Sequence, residues 1–300
     1  MEIQEIKQLE EKANEIRKMT IESIGYLGVG HIGGALSVVE ILTLLYNKHL
    51  DVSPEEPKKA DRDKLVMSKG HAGPALYSVL ADKGFFPKEW LYTLNNGGTN
   101  LPSHCDMNRT PGIDMSTGSL GQGMSAAIGL ALANRLDNIN KKVYLIIGDG
   151  ESNEGQIWEG AMTAAHFKLH NLIAFTDYNK MQIDGYVHDI MNVEDLDAKW
   201  NAFGWFVQRV NGHDFQDMDM AIERAKKELF RPSMIILDTI KGKGAFFAER
   251  RLDNHNMIVN YETAKEACRQ LTPSPLKGEQ GSEPVNFTAP KSPSGDLGVG

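Results

Sequence analysis

The segment Gly148-Asp149-Gly150-Glu-Ser-Asn-Glu154 holds residue types that can do chemistry at close spacing. Its glycines let the backbone approach a bulky anion after a strand, and a helix N-terminus following them favours negative charge. Asn179-Lys-Met181 begins 30 residues after Asp149. One carboxylate, one amide oxygen and a nearby main-chain carbonyl are hard oxygen ligands. They suit Mg²⁺ or Ca²⁺ when a diphosphate and water fill the remaining positions. The same residues can also be a βα turn with an Asp cap and an ordinary Asn turn. If Asp149 and Asn179 end adjacent strands, the ligand set is the better account.

Nine histidines need separate weighing. His49, His166, His170 and His188 fall on expected helices or plain loops, where surface or satisfied-core roles suffice. His213 follows an expected strand and is ambiguous. His31, His71, His104 and His255 differ, because each lies in a loop rich in Gly, Pro or Asn. Imidazole changes protonation near neutrality, so it can hold sugar hydroxyls or a diphosphate and move protons.

These residues need a frame. With 41% hydrophobic and 24% charged residues, the composition is that of an ordinary globular chain with a substantial core. The net charge of −8 argues against nucleic acid or an anionic membrane as the main partner. The longest apolar runs, Val143–Ile147 and Met234–Leu237, have the length of buried strands, not of membrane spans. The charged N-terminus lacks the pattern of a signal peptide, and two cysteines make no disulfide framework, so a reducing cytoplasm is expected.

Helical spacing over 2–24 is followed by the glycine-rich turn Gly28–Gly34 and a helix over Ser37–Lys48. Strands are expected at 64–68, 142–147, 171–177, 205–210 and 233–239. Helices are expected from Gly73 and over 119–135, 155–167, 194–203 and 215–229. That alternation predicts a three-layer α/β/α fold with a mainly parallel sheet, whose ligands bind at the carboxyl ends of the strands. One domain over 1–270 is expected. Residues 271–300, with five Pro, five Gly and four Ser, are expected to form a flexible tail.

The metal loop, with Asn179-Lys-Met-Gln-Ile-Asp-Gly185, resembles the thiamine-diphosphate motif and transketolases in particular. So do Gly30-His31-Ile-Gly-Gly, Ser68-Lys-Gly-His71-Ala and Ser116-Thr-Gly-Ser-Leu-Gly-Gln-Gly123. The resemblance covers about residues 5–260, the N-terminal part of a full-length transketolase. It therefore implies one subunit of a split enzyme, completed by a separate C-terminal subunit that brings the pyrimidine-binding domain, in an α2β2 assembly. The reaction implied is transfer of a two-carbon ketol unit from a ketose to an aldose, as sugars or sugar phosphates.

Carried over by resemblance, Asp149 and Asn179 hold the metal (Mg²⁺, with Ca²⁺ or Mn²⁺ as alternatives) through their side chains, and Met181 through its carbonyl. Gly150 offers its N–H to the diphosphate, with His71 nearby. Gly118, Leu120 and Ile183 match positions that touch thiamine diphosphate. Glu154 and Glu159 match acidic positions near the subunit interface. His31, His104 and His255 match histidines on substrate hydroxyls.

The chain departs from the family pattern beside those histidines. Ser103 and Cys105 flank His104 where Gly and Pro are usual, and Asn254 and Asn256 flank His255 where Trp and Gly are usual. Gly33-Gly34 replaces a proline-glycine pair. An unusual ketose donor, branched or sulfonated, is one implication; drift in loops is the other. A subunit of a 2-oxo acid decarboxylating enzyme, a 1-deoxyxylulose-phosphate synthase and a catalytically silent cofactor-binding module are the alternative functions.

Overall fold

A computed structural model describes residues 1–271. The elements run α1 (Ile3–Leu27), β1 (Val29–Gly30), α2 (Ile32–Leu36), α3 (Val39–Leu44), β2 (Lys64–Met67), α4 (Gly73–Asp82) and α5 (Gln122–Leu136). They continue with β3 (Val143–Gly148), α6 (Gly155–His166), β4 (Leu172–Tyr178), β5 (Met181–Gln182), β6 (Gly185–Tyr186) and α7 (Val187–Ile190). The last are α8 (Leu196–Ala202), β7 (Phe206–Asn211), α9 (Phe215–Lys227), β8 (Ser233–Asp238), β9 (Met257–Ile258) and α10 (Tyr261–Gln270). The expected tail beyond Leu271 lies outside the described residues.

Five parallel strands form the central sheet in the order β2-β3-β4-β8-β7. Their runs are apolar without alternation because both faces are covered. Tyr144, Ile146, Ile173, Phe175, Ile235 and Leu237 pack into the layer that holds α1, α3, α4 and α9. Val143, Leu145, Leu172, Ala174, Met234 and Ile236 pack into the opposite layer with α5, α6 and α8. The expected three-layer α/β/α fold is the one observed. No helix among the described residues is long and apolar enough to cross a membrane.

Two departures from the expected elements bear on the site. The helix expected over Ser37–Lys48 is broken, with α2 starting earlier and ending at Leu36. At the break, the Ser37 hydroxyl donates to Asp177 Oδ2 at 2.7 Å. The helix expected from Ser119 begins at Gln122, because Gly121 takes φ +83° and gives its N–H to Glu151 at 2.8 Å. The antiparallel pairing of β1 with β9 was not anticipated. It sets Val29 opposite Ile258 and Gly30 opposite Met257, tying the two ends of the domain together.

Candidate cofactor and substrate site

β3 and β4 are neighbours in register, with Gly148 opposite Asp177, so Asp149 and Asn179 do end adjacent strands. Asp149 is buried, its carboxylate taking the N–H of Gly150 at 2.7 Å and of Lys180 at 2.5 Å. Asn179 donates through Nδ2 to Asp177 Oδ2 at 2.9 Å, which fixes its amide orientation and turns Oδ1 to the Met181 N–H at 3.1 Å. Met181 opens the β5–β6 hairpin directly after β4. A Cβ on Gly150 would lie 2.5 Å from the Gln182 Cβ, so only glycine lets the Asp149 turn and the hairpin close together.

Asp177 was not picked out from the sequence. Fully buried, it accepts from Lys69 Nζ at 2.5 Å and from Ser37, Asn179 and Thr239. Burial alone would raise its pKa, but the Lys69 ammonium and the hydroxyl donors hold it below the usual carboxylate range. Asp149 is pushed the other way, up to about 7, by burial and by the charge of Asp177 beside it. A divalent cation would remove that penalty, and carboxylate, amide and carbonyl oxygens are the donors Mg²⁺ prefers. Among the described residues, no group of three or more His, Cys, Asp or Glu gathers to hold a metal alone. An ion here would need diphosphate oxygens to complete its shell. The residues fit thiamine diphosphate with a hard cation.

Lys241 is a second lysine missed in the sequence. Buried after β8, it donates to the Ile183 carbonyl at 2.8 Å. Burial and the nearby Lys69 lower its pKa to about 8, against the pull of Asp149, Asp177 and Asp184. The turn that carries it is fastened from below. His213 Nε2 accepts the Ile240 N–H at 2.9 Å, its Nδ1 lies 3.1 Å from Glu40, and Arg17 bridges Glu40 and the Lys243 carbonyl. The ambiguous His213 is thus structural.

The four loop histidines converge. Ring centroids of His31 lie 5.6 Å from His71, 5.5 Å from His104 and 5.3 Å from His255, and His71 lies 5.0 Å from His255. All four are half-buried and their pKa values are lowered. Burial is the main cause throughout, with Lys69 adding at His71 and Lys241 adding at His255, which falls to about 4. Neutral imidazoles at pH 7 can both donate and accept. His49, by contrast, sits buried between Asp219 (3.0 Å) and Lys226 (2.8 Å), a core residue with no part in the cluster.

Two of the sequence departures form one packing unit. The Gly33 N–H donates to the Asn254 carbonyl at 2.9 Å, and fully buried Asn254 donates to the Ala248 carbonyl at 2.7 Å. A Cβ on Gly33 would come within 2.5 Å of Asn254 Oδ1. Proline at 33 would lose the N–H and invade that space. This contact seats the His255 loop against α2.

Gly118, at φ +148°, lies against the His104 ring, and Leu120 follows it, half-buried, on the way to α5. Ile183, at the hairpin tip, is 64% exposed, and Glu154 and Glu159 are exposed on the start and first turns of α6. Glu151, between the expected residues, is instead buried. It accepts the Gly121 N–H (2.8 Å), the Gly148 N–H (3.0 Å) and the Ser68 hydroxyl, and so locks the three loops of the site together. Lys69 and Asp177 had one visible signal, a charged residue inside an otherwise uncharged run; Lys241 and Glu151 had none.

A parallel α/β/α layer with a buried Asp–Asn turn at its strand tips and a histidine cluster above defines a thiamine-diphosphate-binding domain. Residues 8–277 match the family description "Transketolase, thiamine diphosphate binding domain". The chain belongs to the transketolase family and is an enzyme subunit of that kind. It is 57% identical to the 6-deoxy-6-sulfo-D-fructose transketolase subunit SqwG of Clostridium sp. (strain MSTE9), over 88% of this chain and 96% of that one. It is 37% identical to an apulose-4-phosphate transketolase subunit from Phocaeicola vulgatus, over 89% and 95%. The transketolase structure from Campylobacter jejuni superposes with a TM-score of 0.83 at 34% identity, covering 90% of this chain and 43% of that one. The chain thus spans less than half the length of that transketolase.

Proposed function

We propose that this chain is the diphosphate-binding subunit of a two-chain transketolase that moves a two-carbon ketol unit from a ketose to an aldose. A separate subunit would supply the remaining domains, in an α2β2 assembly. The observation that carries this is the convergence of His31, His71, His104 and His255 beside the Asp149–Asn179 strand tips. A decarboxylase or a silent cofactor-binding module has no need of four neutral imidazoles gathered over one site.

Asp149, Asn179 and the Met181 carbonyl would hold Mg²⁺. Gly150 and Lys241 lie where the diphosphate would sit, with Gly118, Leu120 and Ile183 along the rest of the cofactor. Thiamine diphosphate supplies the carbanion and electron sink for breaking and making the C–C bond. His31, His104 and His255 would bind substrate hydroxyls and carry protons to and from them, while the neutral form keeps both roles available. Glu154, at the cap of α6, and Glu159, within it, are both exposed and would meet a neighbouring subunit.

As donor we propose 6-deoxy-6-sulfo-D-fructose, on the strength of the 57% identical relative that bears this name. The test is to combine the chain with the product of a neighbouring reading frame encoding the other transketolase domains. With Mg²⁺, thiamine diphosphate and an aldose phosphate, the mixture should consume 6-deoxy-6-sulfo-D-fructose faster than D-xylulose 5-phosphate. Light scattering should give about four times the subunit mass. Turnover by this chain alone refutes the two-chain enzyme, and a preference for apulose 4-phosphate or D-xylulose 5-phosphate refutes the donor.

A further inference from the structure

A cavity of about 90 Å³ opens on the side of His31 that faces α4. Leu27, Val29, Pro74 and Leu94 form its apolar floor. Its polar lining is His31 with Asn95, Ser103 and Asn256, brought from three separate loops. The pairing of β1 with β9 determines this: Gly30 faces Met257, so the next pair in register is His31 with Asn256. Ser103 is held from the other side. The neighbouring Pro102 carbonyl accepts the Tyr77 hydroxyl at 2.9 Å, and the Cys105 carbonyl accepts the Thr117 N–H at 3.0 Å. Asn95 is fixed at φ 55° with its N–H on the Leu101 carbonyl at 2.8 Å.

We propose that Ser103 and Asn256, with Asn95, form a specificity subsite beside His31 that binds the uncharged, hydroxyl-bearing carbons of the sugar substrate; this rests on the transketolase function proposed above. A hydroxyl and two carboxamides offer donors and acceptors in both senses, as a run of sugar hydroxyls requires. No lysine or arginine lines the cavity, whereas a phosphate or sulfonate calls for a cationic or forked donor. The charged end of the sugar therefore points away from this subsite. Ser103 and Asn256 are two of the positions where the chain carries a side chain in place of the usual family glycine, and both open into this one space. Substrate choice here is set next to the histidines by neutral hydrogen bonds.

The test uses the full chain assembled with its partner subunit, loaded with thiamine diphosphate and Mg²⁺. The variants are Ser103→Gly, Asn256→Gly and the double variant, with Asn256→Gln as the conservative control. Initial rates are measured with 6-deoxy-6-sulfo-D-fructose and with D-xylulose 5-phosphate, and binding of each sugar is measured by calorimetry on the assembly freed of thiamine diphosphate, so that no C–C bond is cleaved. The double variant should raise the KM and the dissociation constant for the preferred ketose about tenfold or more. Its kcat should stay within threefold, and its affinity for thiamine diphosphate should be unchanged. Asn256→Gln should retain part of the binding. Wild-type KM and affinity in the double variant overturn the subsite. If the assembly transfers no ketol unit, the parent function fails, and calorimetry still decides: tenfold weaker sugar binding in the double variant supports the subsite, and equal or absent binding refutes it.

Discussion

Acidification should loosen the folded chain through its four clustered histidines. All four are held below the ordinary imidazole pKa, mainly by burial. An unfolded chain takes up protons at these rings as the pH falls through about 6.5, while the folded chain does not. The unfolded state then binds more protons, so stability is full above about pH 6.5 and drains away as the pH falls below it. For His255 the interval runs from 6.5 down to about 4. Unscreened, that is about 3 kcal/mol; the ring is partly exposed, and solvent screening reduces it to about 1–2 kcal/mol. Two imidazolium charges at the 5.0 Å separation of His71 and His255 would repel by roughly 3 kcal/mol at an effective dielectric of 20, so the rings protonate one at a time. Glu40 and Asp177, whose pKa values are also lowered, give up their stability only below their unfolded values of 4.5 and 3.8. Asp149, raised to about 7, works in the opposite sense. Comparing His255→Gln with wild type cancels these shared contributions. Urea denaturation of both at pH 7.5, 6 and 5, without cofactor, should show the variant losing about 1 kcal/mol less than wild type between the extremes. Parallel curves would refute the account of His255.

Asp149→Asn keeps one acceptor for the Gly150 and Lys180 N–H groups but removes the charge. It should leave circular dichroism unchanged and weaken Mg²⁺-dependent thiamine diphosphate binding about a hundredfold by calorimetry; undiminished binding would sink the metal assignment. Glu151→Ala orphans the Gly121 and Gly148 N–H groups and the Ser68 hydroxyl. At roughly 1 kcal/mol each, chemical denaturation should show a loss of about 3 kcal/mol, and a loss below 1 kcal/mol would show that the loops hold without it.

Much of the fold was legible because each strand is a short apolar run and each helix has its own period. β3, β4 and β8 lie within a residue or two of their expected limits, and their spacing already implied a sheet covered on both faces. Asp149 and Asn179 were legible for the same reason: they follow directly from strands whose ends can be seen in the sequence. The broken helix at Ser37 was not, since the break is set by a hydroxyl bond to Asp177, 140 residues away.

The histidines divide the two kinds of information. Their loops and residue types marked His31, His71, His104 and His255 as candidate site residues, but nothing in sequence order makes residues 31 and 255 neighbours. The β1–β9 pairing and the bond between the Gly33 N–H and the Asn254 carbonyl do that. Charge is decided at the same level. Asp149 and Asp177 are the same residue type, yet one is raised by burial beside a like charge and the other is lowered by a buried lysine. The sequence by itself determined the strands, the helices and the place of Asp149 and Asn179 just past two strand ends, because these depend on residues near one another along the chain. Only the tertiary structure decided which loops meet and which groups stay ionised, because contact and desolvation are set by residues far apart in the chain.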